Sequence, residues 1–255
     1  TVSSDSEKKP DSIRPKLLES DDSWKWENVS VTHKEKFQKL IEHGRQYPQE
    51  IKKANGVRVC VAKEFLIGTG GQSNGVYLGL GTDGSEKAVK VFVTATHGHL
   101  AQEEKKLLAK CETKKLTHVV RYWFLNDKSV PPFAFLIMEL CEEPLESFVN
   151  RNSRDDLVKL APNIIQQILK GLADLHRPPE CILHRDIKPL NILRDVHDKW
   201  LLADFGIGRI LPDDVTTHCS EERGTRKWMA VESCSECDTS FDGNVRYKTE
   251  SDIQV

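Results

Sequence analysis

The stretch that decides the fold is H-R-D-I-K-P-L-N at residues 184–191, followed by D-F-G at residues 204–206. Asp186 carries a carboxylate that can accept the proton of an attacking hydroxyl, and the charge of Lys188 can neutralise a moving phosphate. Asn191 and the aspartate of D-F-G supply the hard oxygen ligands that Mg²⁺ prefers. These residue types in this order predict transfer of a phosphoryl group at a magnesium site.

The spacing of these groups resembles the signature H-R-D-x-K-x-x-N with D-F-G of the protein kinases. The resemblance implies that Asp186 is the catalytic base, that Asp204 is the principal magnesium ligand and that ATP is the phosphate donor. Lys188, two residues after the base, is typical of the serine/threonine class. We expect His184 to be a structural residue that packs on Phe205 rather than a catalyst.

Composition excludes several classes of protein. The 255 residues are 38% hydrophobic and 30% charged, with a mean hydropathy of -0.49, which indicates a soluble protein with a core. No apolar run approaches the ~20 residues of a membrane span, and a net charge of -2 gives no footprint for nucleic acid. Six of the seven cysteines stand in or beside apolar segments without regular spacing, which indicates reduced thiols and a cytoplasmic location. Cys234 and Cys237 form one C-x-x-C, but no second pair or Cys/His partner has zinc spacing.

Residues 1–56 are interpreted as a flexible leader, because the first part is rich in Ser, Asp, Glu, Lys and Pro. Phe37, Leu40 and Ile41 recur at helical spacing, which predicts a short helix between residues 32 and 53. Because the sequence starts with Thr rather than Met, we expect a processed product or a piece of a longer protein.

Residues 57–140 are predicted to form a small β-rich lobe. Alternating residues begin a strand at residue 57, and the turn signal at 81–84 predicts a hairpin before a strand at 87–93. A helix at about 100–111 and two further strands complete the lobe.

The glycine-rich residues 67–77 lie between two predicted strands, where glycines let the backbone approach phosphate oxygens. The fit to G-x-G-x-x-G-x-V is imperfect. Counting from Gly68 puts Ser73 at the third glycine, whereas counting back from Val76 puts Thr69 and Asn74 at glycine positions. A plain glycine-rich hairpin is therefore the alternative. The predicted nucleotide contacts in this loop are Ile67, Gly68, Thr69, Gly70, Gly71 and Val76.

Lys90 ends an A-V-K triplet that resembles the kinase motif V-A-I-K, which implies a contact with the α- and β-phosphates. We expect Glu104 to be its carboxylate partner, with Glu103 as the alternative. A merely solvated helical face is also possible for these glutamates. At the junction of the lobes, the Glu139 carbonyl and the Cys141 N–H are placed to read the adenine edge, unless this is an ordinary strand end.

Residues 141–255 are predicted to form a helical large lobe. Pro162 suits the first turn of a helix. The apolar face of that helix is predicted to contain Ile164, Ile165, Ile168, Leu169, Leu172 and Leu175.

Arg185 beside the catalytic base suggests control by a phosphorylated segment after D-F-G, because arginine pairs well with phosphate. The candidate phosphate acceptors are Thr216, Thr217, Ser220 and Thr225.

A closer resemblance extends over about residues 57–255, to the inositol-requiring kinase/endoribonuclease family of unfolded-protein-response sensors. It rests on E-L-C at 139–141, G-L-A-x-L-H at 171–176, and G-T at 224–225 with Trp228. The resemblance implies a homodimer whose protein substrate is itself or a homologous protomer. Members are anchored in the endoplasmic reticulum membrane and carry a ribonuclease domain. We transfer no RNA cleavage to this chain, and we expect membrane association only through an anchor elsewhere in a longer protein.

Ser251-Asp252-Ile253 resembles the start of the central large-lobe helix, in which Asp252 would bond the backbone of the catalytic loop. The given sequence ends soon afterwards, so we expect an α+β bilobal kinase fold with a complete small lobe and an incomplete, marginally stable large lobe. The function predicted is transfer of the γ-phosphate of MgATP to serine or threonine. The alternative is a nucleotide-binding regulatory module that acts through dimerisation, which Val231 in place of a proline and the irregular glycine loop favour.

Overall fold

The computed structural model describes residues 24–69, 73–126, 133–211, 215–220, 223–234 and 245–253. The predicted nucleotide contacts Gly70 and Gly71 lie outside these residues, as does Cys237.

The small lobe is built on an antiparallel sheet, which has seven strands in the described residues. They are β1 (Ile51–Ala54), β2 (Val57–Cys60), β3 (Leu66–Gly68), β4 (Val76–Gly81), β5 (Glu86–Val93), β6 (Tyr122–Asn126) and β7 (Phe133–Glu139). The strand order is β1-β2-β4-β5-β7-β6, with β3 paired to β4. The predicted hairpin at 81–84 joins β4 and β5, and Gly84 supplies the positive φ of 99° that the turn needs.

Helices cover this sheet. Strand residues alternate between its faces, so Leu78 and Leu80 pack with Phe37 and Leu40 of α1 (Lys34–Gln46), whereas Tyr77 packs on the other side. The long helix α2 (Thr94–Thr113) follows β5 and brings Leu107, Leu108 and Cys111 into the core between the lobes.

The sheet begins earlier than the predicted lobe boundary at residue 57. β1 pairs with β2 in the register Ile51↔Cys60, so that boundary falls between two paired strands. The helix expected between residues 32 and 53 is present as α1, and Phe37 and Leu40 are fully buried. The described part of the expected leader is therefore packed on the small lobe. Sequence reasoning missed this because the contacts are long-range.

Residues 24–33, here called the N-terminal strap, run across the small lobe to the junction of the lobes. Glu86 accepts hydrogen bonds from the Trp26 indole (2.7 Å) and from the backbone N–H of Ser30 (2.7 Å). Glu142 accepts from two further backbone N–H groups of the strap at 3.1 and 2.7 Å. His33 Nε2 donates to the Cys141 carbonyl at 3.1 Å. The strap is thus joined to residues beside the predicted adenine site.

We expect stability to depend on pH through His33. Burial lowers the pKa of His33, although the Cys141 carbonyl and the charge of Glu142 oppose the effect. At pH values between the folded-state pKa of His33 and its ordinary value of about 6.5, the unfolded chain binds more protons than the folded chain. The stability that neutral His33 contributes is therefore fully present above the ordinary value and is lost as the pH falls. His33→Gln, whose amide can still donate to the carbonyl, should flatten the fall of Tm between pH 7.5 and 5.5. The exposed control His197→Gln should not.

The large lobe has two helices in the described residues, α3 (Leu145–Arg151) and α4 (Arg154–His176). Its short strands are β8 (Glu143–Pro144), β9 (Cys181–Leu183), β10 (Ile192–Arg194), β11 (Trp200–Leu202), β12 (Arg209–Leu211), β13 (His218–Ser220) and β14 (Val245–Tyr247). Single 3₁₀ turns occur in both lobes, at Pro48–Glu50 and Lys63–Phe65 in the small lobe and at Pro189–Asn191, Arg226–Trp228, Val231–Ser233 and Glu250–Asp252 in the large lobe. None of the helices in the described ranges is long and apolar enough to cross a membrane. The predicted α+β bilobal kinase architecture is confirmed.

The predicted start of α4 at Pro162 was wrong. The helix begins at Arg154, where the Ser153 hydroxyl caps it by accepting from the backbone N–H of Asp156 at 3.2 Å. A serine cap followed by two aspartates is a stronger start signal than a proline, since it satisfies free N–H groups and complements the helix dipole.

Only part of the predicted apolar face of α4 is buried. Ile164, Leu172 and Leu175 are buried, whereas Ile165 and Leu169 are 54% and 47% exposed. Positions four apart share one helix face, so these two exposed residues form a stripe beside the buried one.

Candidate active site

The predicted site residues converge between the two lobes around Lys90. This lysine lies on β5, and its ammonium donates to both oxygens of Glu104 on α2, at 3.0 and 2.9 Å, and to Asp204 at 2.8 Å. Glu103 instead lies 3.5 Å from Arg209 at a half-exposed position. The structure therefore pairs Lys90 with Glu104 and not with the alternative.

Lys90 and Asp204 stabilise each other's charges. Burial alone would lower the pKa of Lys90, but the neighbouring charges of Glu104 and Asp204 raise it above its ordinary value. Burial would raise the pKa of Asp204, but Lys90 holds it below its usual range. Burial raises the pKa of Glu104 against the opposing charge of Lys90. Lys90 therefore stays charged and links the two lobes.

The backbone around D-F-G directs Asp204 toward this lysine. Asp204 has a φ of 64°, in the left-handed region, where aspartate is better tolerated than most residues. The next residue, Phe205, is buried against the ring of His184 at 4.8 Å. His184 Nε2 donates to the Ala203 carbonyl at 3.0 Å, and its Nδ1 accepts from the N–H of Asp186. His184 thus has the structural contacts expected from the sequence.

The catalytic loop presents Asp186 among polar partners. Its Oδ2 accepts from Lys188 at 2.6 Å and from the Asn191 amide at 2.9 Å. Its Oδ1 accepts from the hydroxyl of Thr225 at 2.8 Å, and Lys188 donates to that hydroxyl at 2.8 Å. Three groups thus fix the orientation of the Asp186 carboxylate.

Asp252 holds the backbone of the catalytic loop, as the family resemblance implied. Its carboxylate accepts from the backbone N–H groups of His184 and Arg185, both at 2.8 Å, and from His176 Nε2 at 2.9 Å. The side chain is only 2% exposed. These contacts satisfy two buried backbone donors next to Asp186, where Arg185 has a positive φ of 68°.

The donor set fits a divalent cation. The Asn191 amide nitrogen donates to Asp186, which leaves the amide oxygen as the atom that can bind a metal. Together with the Asp204 carboxylate it offers the oxygen ligands that hard cations prefer.

The residues predicted to contact the nucleotide lie on and beside strands β3 and β4. Val76 stands opposite Lys90 in the β4–β5 register, and Ile67, Gly68 and Thr69 precede it on and after β3. The chain requires glycine at position 75, directly before β4, because φ is 115° there. A Cβ at this position would also come within 2.5 Å of a Leu66 side-chain carbon. Neither alignment of the sequence motif had given Gly75 a glycine role.

At the junction of the lobes, β7 ends at Glu139, whose N–H donates to the Arg121 carbonyl at 2.9 Å. The Glu139 carboxylate pairs with the Arg121 guanidinium. Cys141 is buried with Ala203.

Thr225 contacts Asp186, a position in the candidate site that sequence reasoning did not assign to it. It was considered only as a phosphate acceptor, but its backbone N–H also donates to Asp186, at 3.1 Å. The G-T pair before Trp228 was the available signal. The strap contacts at Cys141 and Glu142 had no local signal, because they join residues more than a hundred positions apart.

Comparisons with known proteins agree with this geometry. The protein kinase domain family matches residues 61–253. The chain is 31% identical to the serine/threonine-protein kinase/endoribonuclease ire-1 of Caenorhabditis elegans over 74% of its length and 20% of that protein. It is 34% identical to the human serine/threonine-protein kinase/endoribonuclease IRE2 over 66% of its length and 18% of that protein. The mitogen-activated protein kinase kinase kinase 1 of Arabidopsis thaliana is 32% identical over 71% of the chain and 29% of that protein.

The chain belongs to the protein kinase family. Within that family, the two kinase/endoribonuclease relatives named above are serine/threonine-protein kinases, and a protein kinase domain implies the use of ATP and a divalent metal ion. The chain spans about a fifth of the length of these two relatives.

Proposed function

We propose that this chain transfers the γ-phosphate of MgATP to serine and threonine hydroxyls. The observation that carries the proposal is the ion group in which Lys90 bonds Glu104 and Asp204 at 2.8–3.0 Å. This arrangement keeps a fixed positive charge between the two lobes and a carboxylate beside it. Positioning and charge stabilisation of this kind supply most of the catalysis in phosphoryl transfer.

Each site residue has a role in this proposal. Lys90 orients the α- and β-phosphates, and Glu104 holds Lys90 in place. Asp186 orients the attacking hydroxyl and accepts its proton, while Lys188, already 2.6 Å from Asp186, neutralises charge on the transferred phosphate. Asn191 and Asp204 hold Mg²⁺, which when bound neutralises charge on the phosphate oxygens. Ile67, Gly68, Thr69, Gly70, Gly71 and Val76 cover the nucleotide, and Glu139 and Cys141 bind the adenine edge.

The protein substrate in this proposal is a second copy of the chain, modified in the segment between Asp204 and Glu232. Among the candidate acceptors, Thr225 is held by Asp186 and Lys188, so its hydroxyl is a positioning group. Thr216 is exposed and Thr217 is partly exposed, and both precede β13. The side chain of the fourth candidate, Ser220, lies outside the described residues. Accessibility therefore favours Thr216 and Thr217 over Thr225 as the phosphate acceptors.

Positive charge near this segment supports the assignment. The pKa of His218, in β13, is lowered first by burial and then by the charges of Arg185 and Arg209. The guanidinium of Arg185 lies 3.8 Å from the ring centre of Tyr247 in β14, the strand that pairs with β13. A phosphate two residues before His218 would meet this cluster, and arginine forms its strongest hydrogen bonds with such anions.

Labelling between copies tests the proposal. Wild-type chain is mixed with an Asp186→Asn chain that is distinguishable by mass, and both receive radiolabelled ATP and Mg²⁺. Label should appear on the inactive chain, should increase with the concentration of the wild type, and should map to Thr216 and Thr217 by peptide mass analysis. Thr216→Ala with Thr217→Ala should remove most of it, whereas the control Thr249→Ala should not. Label confined to wild-type chains at every concentration would contradict transfer between copies.

We further propose that the chain acts in the cytoplasm in a signalling pathway related to the unfolded-protein response. The similarity to two kinase/endoribonuclease proteins supports this context. The same phosphate readout tests it in cells. Phosphate at Thr216 and Thr217 should rise when folding of secreted proteins is inhibited, and an unchanged level would contradict the proposed context.

A further inference from the structure

Three side chains of types that can bind a metal ion lie together where the end of α1 meets the β1–β2 hairpin. His43 is in the last turn of α1, Glu50 ends the 3₁₀ turn at Pro48–Glu50, and Cys60 is the last residue of β2. The β1–β2 register places Cys60 opposite Ile51, directly after Glu50. Helix α1, the 3₁₀ turn and, through its pairing with β1, strand β2 therefore bring an imidazole, a carboxylate and a thiol together.

The distances in the cluster suit a single cation. The three ligand atoms all lie within 4.8 Å of one another, and His43 Nε2 is 2.8 Å from Glu50 Oε2. Bond lengths of about 2.0–2.3 Å to tetrahedral Zn²⁺ correspond to ligand separations of about 3.3–3.8 Å. Small side-chain rotations are sufficient to reach these separations from the observed ones.

The surroundings hold two of the ligands in place. The ring of His43 packs against Tyr47 at 5.0 Å and against Phe65 at 5.4 Å, which limits rotation of the imidazole. The backbone N–H of Ala62 donates to the sulfur of Cys60, a contact that favours the thiolate. The Glu50 side chain is 50% exposed, so one side of the cluster is open to water.

The surroundings of the Cys60 sulfur favour the neutral thiol. Burial raises the pKa of Cys60, and the negative charges of Glu50 and Glu64 raise it further, against the Ala62 hydrogen bond and the charge of Lys52. A divalent ion between the sulfur and the Glu50 carboxylate reverses this balance, because a coordinated thiol is deprotonated.

We propose that His43, Glu50 and Cys60 bind one Zn²⁺, with water as the fourth ligand. Sulfur, imidazole nitrogen and carboxylate oxygen together form a ligand set that zinc accepts in tetrahedral geometry. On binding, the Cys60 S–H bond breaks, its proton goes to solvent and the sulfur lone pair binds the metal. The ion joins the end of α1 to the first hairpin of the sheet. The site therefore stabilises the N-terminal part of the small lobe without touching the nucleotide.

Cobalt titration of the full chain, without any affinity tag and after removal of metals, tests the proposal. Co²⁺ should give a thiolate charge-transfer band in the near ultraviolet and tetrahedral d–d bands in the visible, saturating at one equivalent. Zn²⁺ should bleach these bands, release one proton per ion at constant pH and raise the Tm. Absence of a one-equivalent endpoint would overturn the proposal, as would binding of several ions with no charge-transfer band.

Variants assign the ligands. Cys60→Ser should abolish the charge-transfer band, and His43→Gln and Glu50→Gln should each weaken binding by more than about tenfold, the lower end of the effect of second-shell changes. Glu50 is exposed, so Glu50→Gln should keep the apo-protein Tm of the wild type. Unchanged affinity in that folded variant would exclude Glu50 as a ligand and overturn the three-residue site.

Matched controls exclude other thiols and imidazoles. Cys111→Ser removes another buried thiol, and Cys234→Ser breaks the C-x-x-C pair with Cys237. His118→Gln removes an imidazole elsewhere on the surface. All three should retain the one-equivalent spectrum. Loss of the charge-transfer band in Cys234→Ser, with retention in Cys60→Ser, would place the metal at Cys234 and would overturn the proposal.

Discussion

Replacement of Asp186 by Ala is expected to lower the rate of phosphate incorporation by about 10²–10⁴-fold, the usual contribution of a general base. Asp186 accepts hydrogen bonds from Lys188, Asn191 and Thr225, so its loss removes both the proton acceptor and the group that orders these side chains. ATP affinity should change little, because the proposed nucleotide contacts are made by other residues. The measurement is initial-rate transfer of radiolabel from ATP, with nucleotide affinity determined in parallel.

Asp186→Asn provides a closer test of the same role. The amide keeps the shape of the side chain and can still accept one hydrogen bond, but it cannot take up a proton at neutral pH. It should therefore be almost as inactive as the alanine variant. The control Asp198→Asn changes an aspartate that is 81% exposed and has a φ of 62°, which asparagine tolerates. It should keep wild-type activity.

The outcome separates the two functions that the sequence left open. A rate of phosphate incorporation that is measurable in the wild type and falls in both Asp186 variants supports a catalytic function. Nucleotide binding by the wild type without Asp186-dependent incorporation supports the regulatory module that acts through dimerisation. Full activity in Asp186→Asn would show that the carboxylate does not serve as the base.

Replacement of Asp252 by Ala is expected to destabilise the protein by about 3–5 kcal/mol, the cost of removing one partner from a buried charged network. The change leaves the backbone N–H groups of His184 and Arg185 and the imidazole of His176 without their acceptor. Total stabilities are only about 5–15 kcal/mol, so a loss of this size is severe. The measurement is the midpoint of urea unfolding, followed by fluorescence.

Variants around Asp252 separate charge from hydrogen bonding. Asp252→Asn keeps one acceptor oxygen and should lose less stability than the alanine variant. Glu250→Ala lies in the same 3₁₀ turn, at an exposed position, and should leave the midpoint unchanged. Equal midpoints for Asp252→Ala and the wild type would show that the loop does not depend on this anchor.

The fold class and the chemical groups were predictable because they are encoded locally. The run at 184–191 and D-F-G at 204–206 indicated a bilobal kinase, and the protein kinase match over residues 61–253 supports that interpretation. Strand β5 and helix α2 were also predicted, since β-branched alternation and a long run of helix formers identify them. The roles of the site residues remain predictions that the Asp186 and labelling experiments test.

Other features were not predictable from local patterns. The sequence left Glu103 and Glu104 open, and only the packing of α2 against β5 brings Glu104 to Lys90. The start of α4 was misassigned, because the prediction took Pro162 as the start signal and did not consider a cap at Ser153. The strap on Glu86 and Glu142 was taken for flexible chain, because composition does not report on distant acceptors.

The sequence by itself determined which reaction the site is equipped for, because carboxylate, amide and ammonium groups at fixed short spacings carry that chemistry. Only the tertiary structure decided how these groups are held. The bonds from Asp252 to the catalytic loop and from His33 to Cys141 join residues 68 and 108 positions apart. Such contacts form when packing of the whole chain outweighs the entropy of closing long loops, and no local pattern of residues records them.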